Sequence, residues 1–144
     1  MILYAETSAV LSWLVGERAG SAVRAILARA SAVVASELTG LECQRAISRW
    51  TALGGLREAD AAALRSRLAS GTARWTRLAM GGDVVERAGL PYPEEPVRAL
   101  DAIHLATALL VRRVQPDLQL LSLDDRVRRS ARALGFEVLP AAPA

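Results

Sequence analysis

Four carboxylates stand in surroundings that do not suit a solvated acid. Glu6 directly follows the apolar run Met1 to Ala5, and Asp124, with Asp125 beside it, follows another apolar run in SLDD. Glu42 lies in LTGLECQRAI and Asp101 in RALDAIHLATAL, both among aliphatic neighbours. Several carboxylates gathered in one place repel one another and resist desolvation unless a divalent cation neutralises them. An all-oxygen ligand set without an organising His or Cys pair selects Mg²⁺ or Mn²⁺ over zinc or copper. Such a cluster has no nucleophilic side chain, and its natural chemistry is metal-assisted phosphodiester hydrolysis.

Each acid also has a plain structural role open to it. Asp101 can pair with Arg98 and Glu42 with Arg45 across one helical turn. Asp124 can cap the helix that follows it, and Glu6 can sit near a helix N-terminus favoured by the dipole alone. Ser8 and Ser122 can bond a carboxylate or a metal-held water, or make a local cap. His104 lies one turn from Asp101, but a lone His reads as a packed, hydrogen-bonded residue. Trp13, Trp50 and Trp75 read as core or dimer contacts rather than base-stacking platforms.

The elements that must position these residues alternate. Met1 to Ala5 reads as a strand and Thr7 to Val15 as a helix, followed by a second helix over Ser21 to Ala30. Ala32 to Ala35 is a compact strand, and Ser36 caps a helix that runs to the Gly54-Gly55 stop. Another helix fills Glu58 to about Ala69, broken by Gly71 and Thr72, with a short strand over Trp75 to Ala79. A helix over Asp83 to Gly89 leads into the proline-rich loop LPYPEEP and a long helix from Val97 to Val114. Leu118 to Leu123 is a strand, Asp124 to Leu134 a helix ended by Gly135, and Phe136 to Leu139 a last strand. Short apolar strands joined by helices imply a parallel sheet of about five strands covered on both faces, a single α/β domain in three α/β/α layers. In an open parallel sheet the ligand crevice lies beyond the carboxyl ends of the strands, where Glu6 and Asp124 fall.

The chain has 144 residues, one domain's length. Its 18 basic residues are all Arg, against 15 acidic ones. With no Lys there is no Schiff base and no phosphate-binding Lys of a P-loop. The same absence argues against a phospho-acceptor receiver domain, and YAETS after the first strand lacks the D-x-D of a haloacid-dehalogenase-type phosphatase. Arginine's planar fork suits phosphate and carboxylate partners. Arg112, Arg113, Arg126, Arg128, Arg129 and Arg132 are candidates for phosphate contacts, or solvated helix faces. Cys43 is alone, so no intrachain disulfide forms and a reducing cytoplasm fits. The opening residues lack the basic region of a signal peptide, and AIHLATALLV is too short to span a bilayer, so a soluble cytoplasmic protein without a membrane partner is expected.

YAETSAV, SELTGLE, LRALDAIHLATAL and SLDDRVRRSARALGFEVL together resemble the PIN-domain ribonucleases, specifically the VapC toxins of VapBC toxin–antitoxin pairs. The resemblance runs from Met1 to about Leu139, giving a PIN-like domain over residues 1–140 and a short tail over 141–144. It implies an acidic quartet of Glu6, Glu42, Asp101 and Asp124, with Glu6, Asp101 and Asp124 holding Mg²⁺ or Mn²⁺ and Glu42 completing the set. Ser8 and Ser122 match the family's hydroxyl residues beside the first and last acids, and Asp125 has no firm counterpart. The implied activity is cleavage of single-stranded regions of RNA by an activated water, neutralised by a cognate VapB-like antitoxin. A homodimer is implied too, with promoter DNA bound only through the antitoxin. One departure stands out: the family's first acid is Asp, whereas this chain has Glu6, whose extra methylene shifts the carboxylate. The alternative is therefore a catalytically weakened PIN-fold protein acting as an antitoxin-binding or regulatory subunit.

Overall fold

The computed structural model describes residues 1–16 and 18–141. Residues 142–144 of the expected tail lie outside the described residues.

Leu3, Tyr4 and Ala5 of β1 (Ile2–Ala5) are wholly buried. Such burial on both faces is the mark of a strand inside a doubly covered parallel sheet. β2 (Ala32–Ser36) and β4 (Gln119–Leu121) pair with β1 on its two sides, while β3 (Thr76–Leu78) extends the sheet beyond β2 and β5 (Val138–Leu139) beyond β4. All pairs are parallel and the order is β3-β2-β1-β4-β5. The helices are α1 (Thr7–Val15), α2 (Arg18–Arg29), α3 (Glu37–Ala52), α4 (Glu58–Thr72), α5 (Gly82–Ala88), α6 (Ala99–Arg112) and α7 (Asp125–Ala133).

Alternation along the strands divides the core. Tyr4, Leu120 and Val138 face a layer built from α6 and α7, through Ala102, Leu105, Val127 and Ala131. Leu3, Ala5 and Leu121 face the opposite layer, where Ala9, Val10 and Leu14 of α1 pack with Val23, Cys43 and Ile47. The expected three-layer α/β/α arrangement with five short parallel strands is thus what the chain forms.

Most expected elements form with their ends shifted by a few residues. The largest shifts, of three residues, are at the start of α2, which begins at Arg18, and at the end of α4, which runs to Thr72. Gly71 does not stop α4, which continues to Thr72, and a Cβ at Gly71 would lie 2.2 Å from the Trp13 ring. The glycine there serves packing rather than termination.

From β1 the chain builds outward through β2 to β3, then returns to place β4 on the other side of β1. The reversal falls between β1 and β4, and such a switch point opens a crevice at the carboxyl ends of those two strands.

Candidate active site

Glu6 and Asp124 stand at that crevice because strands β1 and β4 are each followed at once by a helix that needs a cap. Glu6 is the N-cap of α1, accepting from the Ser8 amide at 3.1 Å. Asp124 is the N-cap of α7, its Oδ1 accepting from the Arg126 amide at 2.8 Å. Two helix N-termini thereby point into the crevice and favour negative charge there.

A pair of serines locks the two acids together. Glu6 Oε2 accepts hydrogen bonds from the hydroxyls of Ser8 and Ser122, the latter at 2.8 Å. The same hydroxyls receive the backbone amides of the next strand end: Leu123 N and Asp124 N donate to Ser8 Oγ, and Asp124 N also to Ser122 Oγ. Glu6 is therefore buried and held by one oxygen. Burial raises its carboxyl above the usual range, against the lowering influence of His104 and the serine hydrogen bonds.

Glu42 and Asp101 come from α3 and α6. Glu42 Oε1 accepts from Thr7 Oγ1 at 2.7 Å and lies 2.6 Å from His104 Nε2. Because Nε2 faces a carboxylate it carries a proton. Tyr4, whose ionisation burial suppresses, donates from its hydroxyl to His104 Nδ1 at 2.8 Å. Partial burial pushes the Glu42 carboxyl up, but the His104 and Thr7 hydrogen bonds win and hold it below its ordinary value. Asp101, in the first turn of α6, takes Arg98 Nε on Oδ2 at 2.9 Å, and Arg98 Nη2 lies 3.8 Å from Asp124 Oδ2.

Hydrogen bonds link the expected acids pairwise: Glu6 to the Asp124 amide through Ser8 and Ser122, Glu42 to Thr7 and His104, and Asp101 to Arg98, which also approaches Asp124. Asp125 lies exposed in the first turn of α7, outside this network. Glu42 pairs with His104 in place of Arg45. Tyr4 and Thr7 escaped the reading of the sequence. For Tyr4 the signal was there: a tyrosine in an aliphatic buried strand needs a partner for its hydroxyl. The phosphate-contact reading fails for two arginines. Arg128 is buried and gives its guanidinium to the carbonyls of Ser122, Leu139 and Pro140. Arg112 bonds Leu134 O and covers the Phe136 ring, about 16 Å along α6 from Asp101 at 1.5 Å per residue. The Cys43 thiol, beside Glu42, is pushed up to about 12 by burial and by the nearby carboxylates, and stays protonated. Among the described residues, no three His, Cys, Asp or Glu side chains lie close enough together to hold a metal ion. What Asp101 and Asp124 already share is a cation, the Arg98 guanidinium, and their oxygen-only chemistry fits a hard dication in the same place.

The sheet is parallel throughout, with Glu6 and Asp124 at its switch point, and the family model of the PIN domain matches residues 3–133. The chain belongs to the PIN-domain family, and within it to the VapC ribonucleases. It is 34% identical over 138 residues to Ribonuclease VapC46 of Mycobacterium tuberculosis, covering 95% of each chain. Ribonuclease VapC35 of the same organism is 39% identical over 56 residues, which span 39% of this chain and 42% of that protein. Among solved structures, a toxin–antitoxin complex from Klebsiella pneumoniae superposes with a TM-score of 0.69 at 18% identity, covering 100% of both chains. The sarcin-ricin loop cleaving toxin VapC20 of Mycobacterium tuberculosis gives 0.66 at 18% identity over 99% of both. Among the described residues, no helix is long and apolar enough to cross a membrane.

Proposed function

We propose that this protein is a divalent-metal-dependent endoribonuclease toxin that cuts single-stranded regions of RNA and is neutralised by a cognate VapB-like antitoxin. One observation carries the reading: in a chain of the VapC family, Asp101 and Asp124 from separate elements share a single cation at the switch point of the sheet. In this reading Glu6, Asp101 and Asp124 would hold Mg²⁺ or Mn²⁺, and Glu42 would complete the set. The chemistry such an ion supplies when bound is neutralisation of phosphate charge and activation of water.

The remaining work falls to this chain's own groups. Ser8 and Ser122 fix Glu6 and, through the Leu123 and Asp124 amides, set the start of α7 relative to β1. His104 and Thr7 aim Glu42. Together the carboxylates leave a strongly anionic crevice, which favours a metal-loaded state over direct approach of RNA.

An open groove leads away from Glu42, floored by Leu11, Leu38, Leu41 and Leu100 and edged by Arg45 and Arg49. Leu41 and Leu100 are exposed there. We assign this groove to the antitoxin's apolar, acidic tail. The toxin–antitoxin complex from Klebsiella pneumoniae among its structural neighbours supports such a partner. A cytoplasmic homodimer that reaches promoter DNA only through the antitoxin belongs to the same proposal. The reading as a weakened, regulatory subunit is not favoured, since the relative matched over nearly its whole length is named a ribonuclease.

Asp101→Asn tests the proposal, because it removes a ligand charge while leaving a side chain able to meet Arg98. Cleavage of a single-stranded RNA should fall by roughly two to three orders of magnitude, the scale seen when one directed electrostatic contact to a transition state is removed. Retention of wild-type cleavage would overturn it.

A further inference from the structure

The group that sits where the metal is needed belongs to the protein itself. Arg98 precedes α6 as its N-cap, and its main chain is held firmly: Ala102 N donates to Arg98 O at 2.8 Å, and the neighbouring Val97 amide donates to Glu95 Oε2 at 2.8 Å. Its side chain is not held in that way. It is 54% exposed, makes one hydrogen bond to Asp101, and only approaches Asp124 at 3.8 Å. A backbone fixed at the rim and a side chain gripped at one nitrogen make a guanidinium that can leave its place without disturbing the fold.

The physics of the exchange is one-sided. A guanidinium cannot lose its charge in the neutral range, so it can vacate the carboxylates only by moving. The Arg98 guanidinium is exposed, so solvent screens its attraction to the less exposed Asp101, whereas a dication brings twice the charge to the same oxygens. Once the pair is neutralised, the displaced guanidinium is repelled from the ion but stays tethered at the crevice mouth. The anion to be met there is the phosphate of the incoming strand, whose geometry suits Arg's planar fork.

We propose that Arg98 is the resident counter-cation of Asp101 and Asp124, displaced by the divalent ion and thereby turned onto an RNA backbone phosphate. The inference rests on the metal-dependent nuclease reading and adds to it a residue that links metal loading to substrate binding.

Two measurements on the full chain test it: calorimetric titration with Mn²⁺ alone, and cleavage kinetics of a single-stranded oligoribonucleotide at saturating Mn²⁺. Wild type, Arg98→Gln, Arg98→Lys and Asp101→Asn are compared, with thermal unfolding as the check on folding. Arg98→Gln should bind Mn²⁺ roughly two- to fivefold more tightly, the range an exposed ion pair allows. The same variant should raise the KM for RNA several-fold at nearly constant kcat and lower the salt slope by about one. Arg98→Lys should restore most of both effects. Equal or weaker Mn²⁺ affinity in Arg98→Gln, while Asp101→Asn loses it, overturns the proposal alone, and so does an unchanged KM. If neither wild type nor Arg98→Gln binds Mn²⁺ better than Asp101→Asn, the metal reading of the site falls, and this proposal with it.

Discussion

Glu6 shows how one side chain serves both fold and site. Its Oε2 accepts from the Ser8 amide and from two serine hydroxyls, so a buried charge is tolerated where it would otherwise be expelled. Its carboxyl is nevertheless raised by burial above the ordinary 4.5, while that of Glu42 is lowered. The two therefore act on stability in opposite directions. For Glu6 the folded chain binds the proton more tightly than the unfolded one, so its share of stability is whole below about pH 4.5 and is lost as pH rises through the raised value. For Glu42 stability is present above that range and is lost as pH falls through the lowered value. In EDTA, Glu6→Gln should therefore raise Tm by a few degrees at pH 8, the gain vanishing near pH 4; a gain independent of pH would contradict the assignment. His104 is the other test at this scale. His104→Ala strands the Tyr4 hydroxyl and takes a donor from Glu42, which should cost about 2–3 kcal/mol in denaturant unfolding. The cleavage rate should fall with it, and His104→Gln, which keeps a donor toward Glu42, should recover part of that rate.

At the scale of elements, the site is made by the way strands end. β1, β2 and β4 each pass into a helix through a side-chain cap, by Glu6, Ser36 and Asp124, and two of those caps are the acids of the crevice. Reading the apolar runs and their flanking caps was enough to find these strands and helices, because burial on both faces leaves a continuous aliphatic signature. Positions whose meaning lies across the molecule were not legible. Gly71 reads locally as a helix breaker, yet it is a gap filled by Trp13. Arg128 reads as a solvated helix arginine, yet it ties β4 to the chain end. Arg98 was visible as a partner of Asp101, but its approach to Asp124 depends on how α6 meets α7. Gly71→Ala follows as a prediction. Helix propensity alone favours it by about 1 kcal/mol, but the clash with Trp13 should lower stability by about 1–3 kcal/mol, the range for overpacked cores. A stabilised variant by denaturant unfolding would mean that Trp13 does not lie where it is described.

For the whole molecule, the order β3-β2-β1-β4-β5 decides where function can sit, since only one reversal point joins the ends of β1 and β4. Acids from α3 and α6 reach the same edge from opposite layers, so residues far apart in the chain become neighbours. The central claim is that this anionic edge works through a divalent ion on RNA. It is tested most directly by incubating the purified protein with total cellular RNA in Mg²⁺, with and without EDTA, and mapping the fragment ends. The account predicts discrete fragments with 5′-phosphate and 3′-hydroxyl ends that disappear with EDTA. Cleavage that persists in EDTA, or that leaves 2′,3′-cyclic phosphate ends, would contradict it.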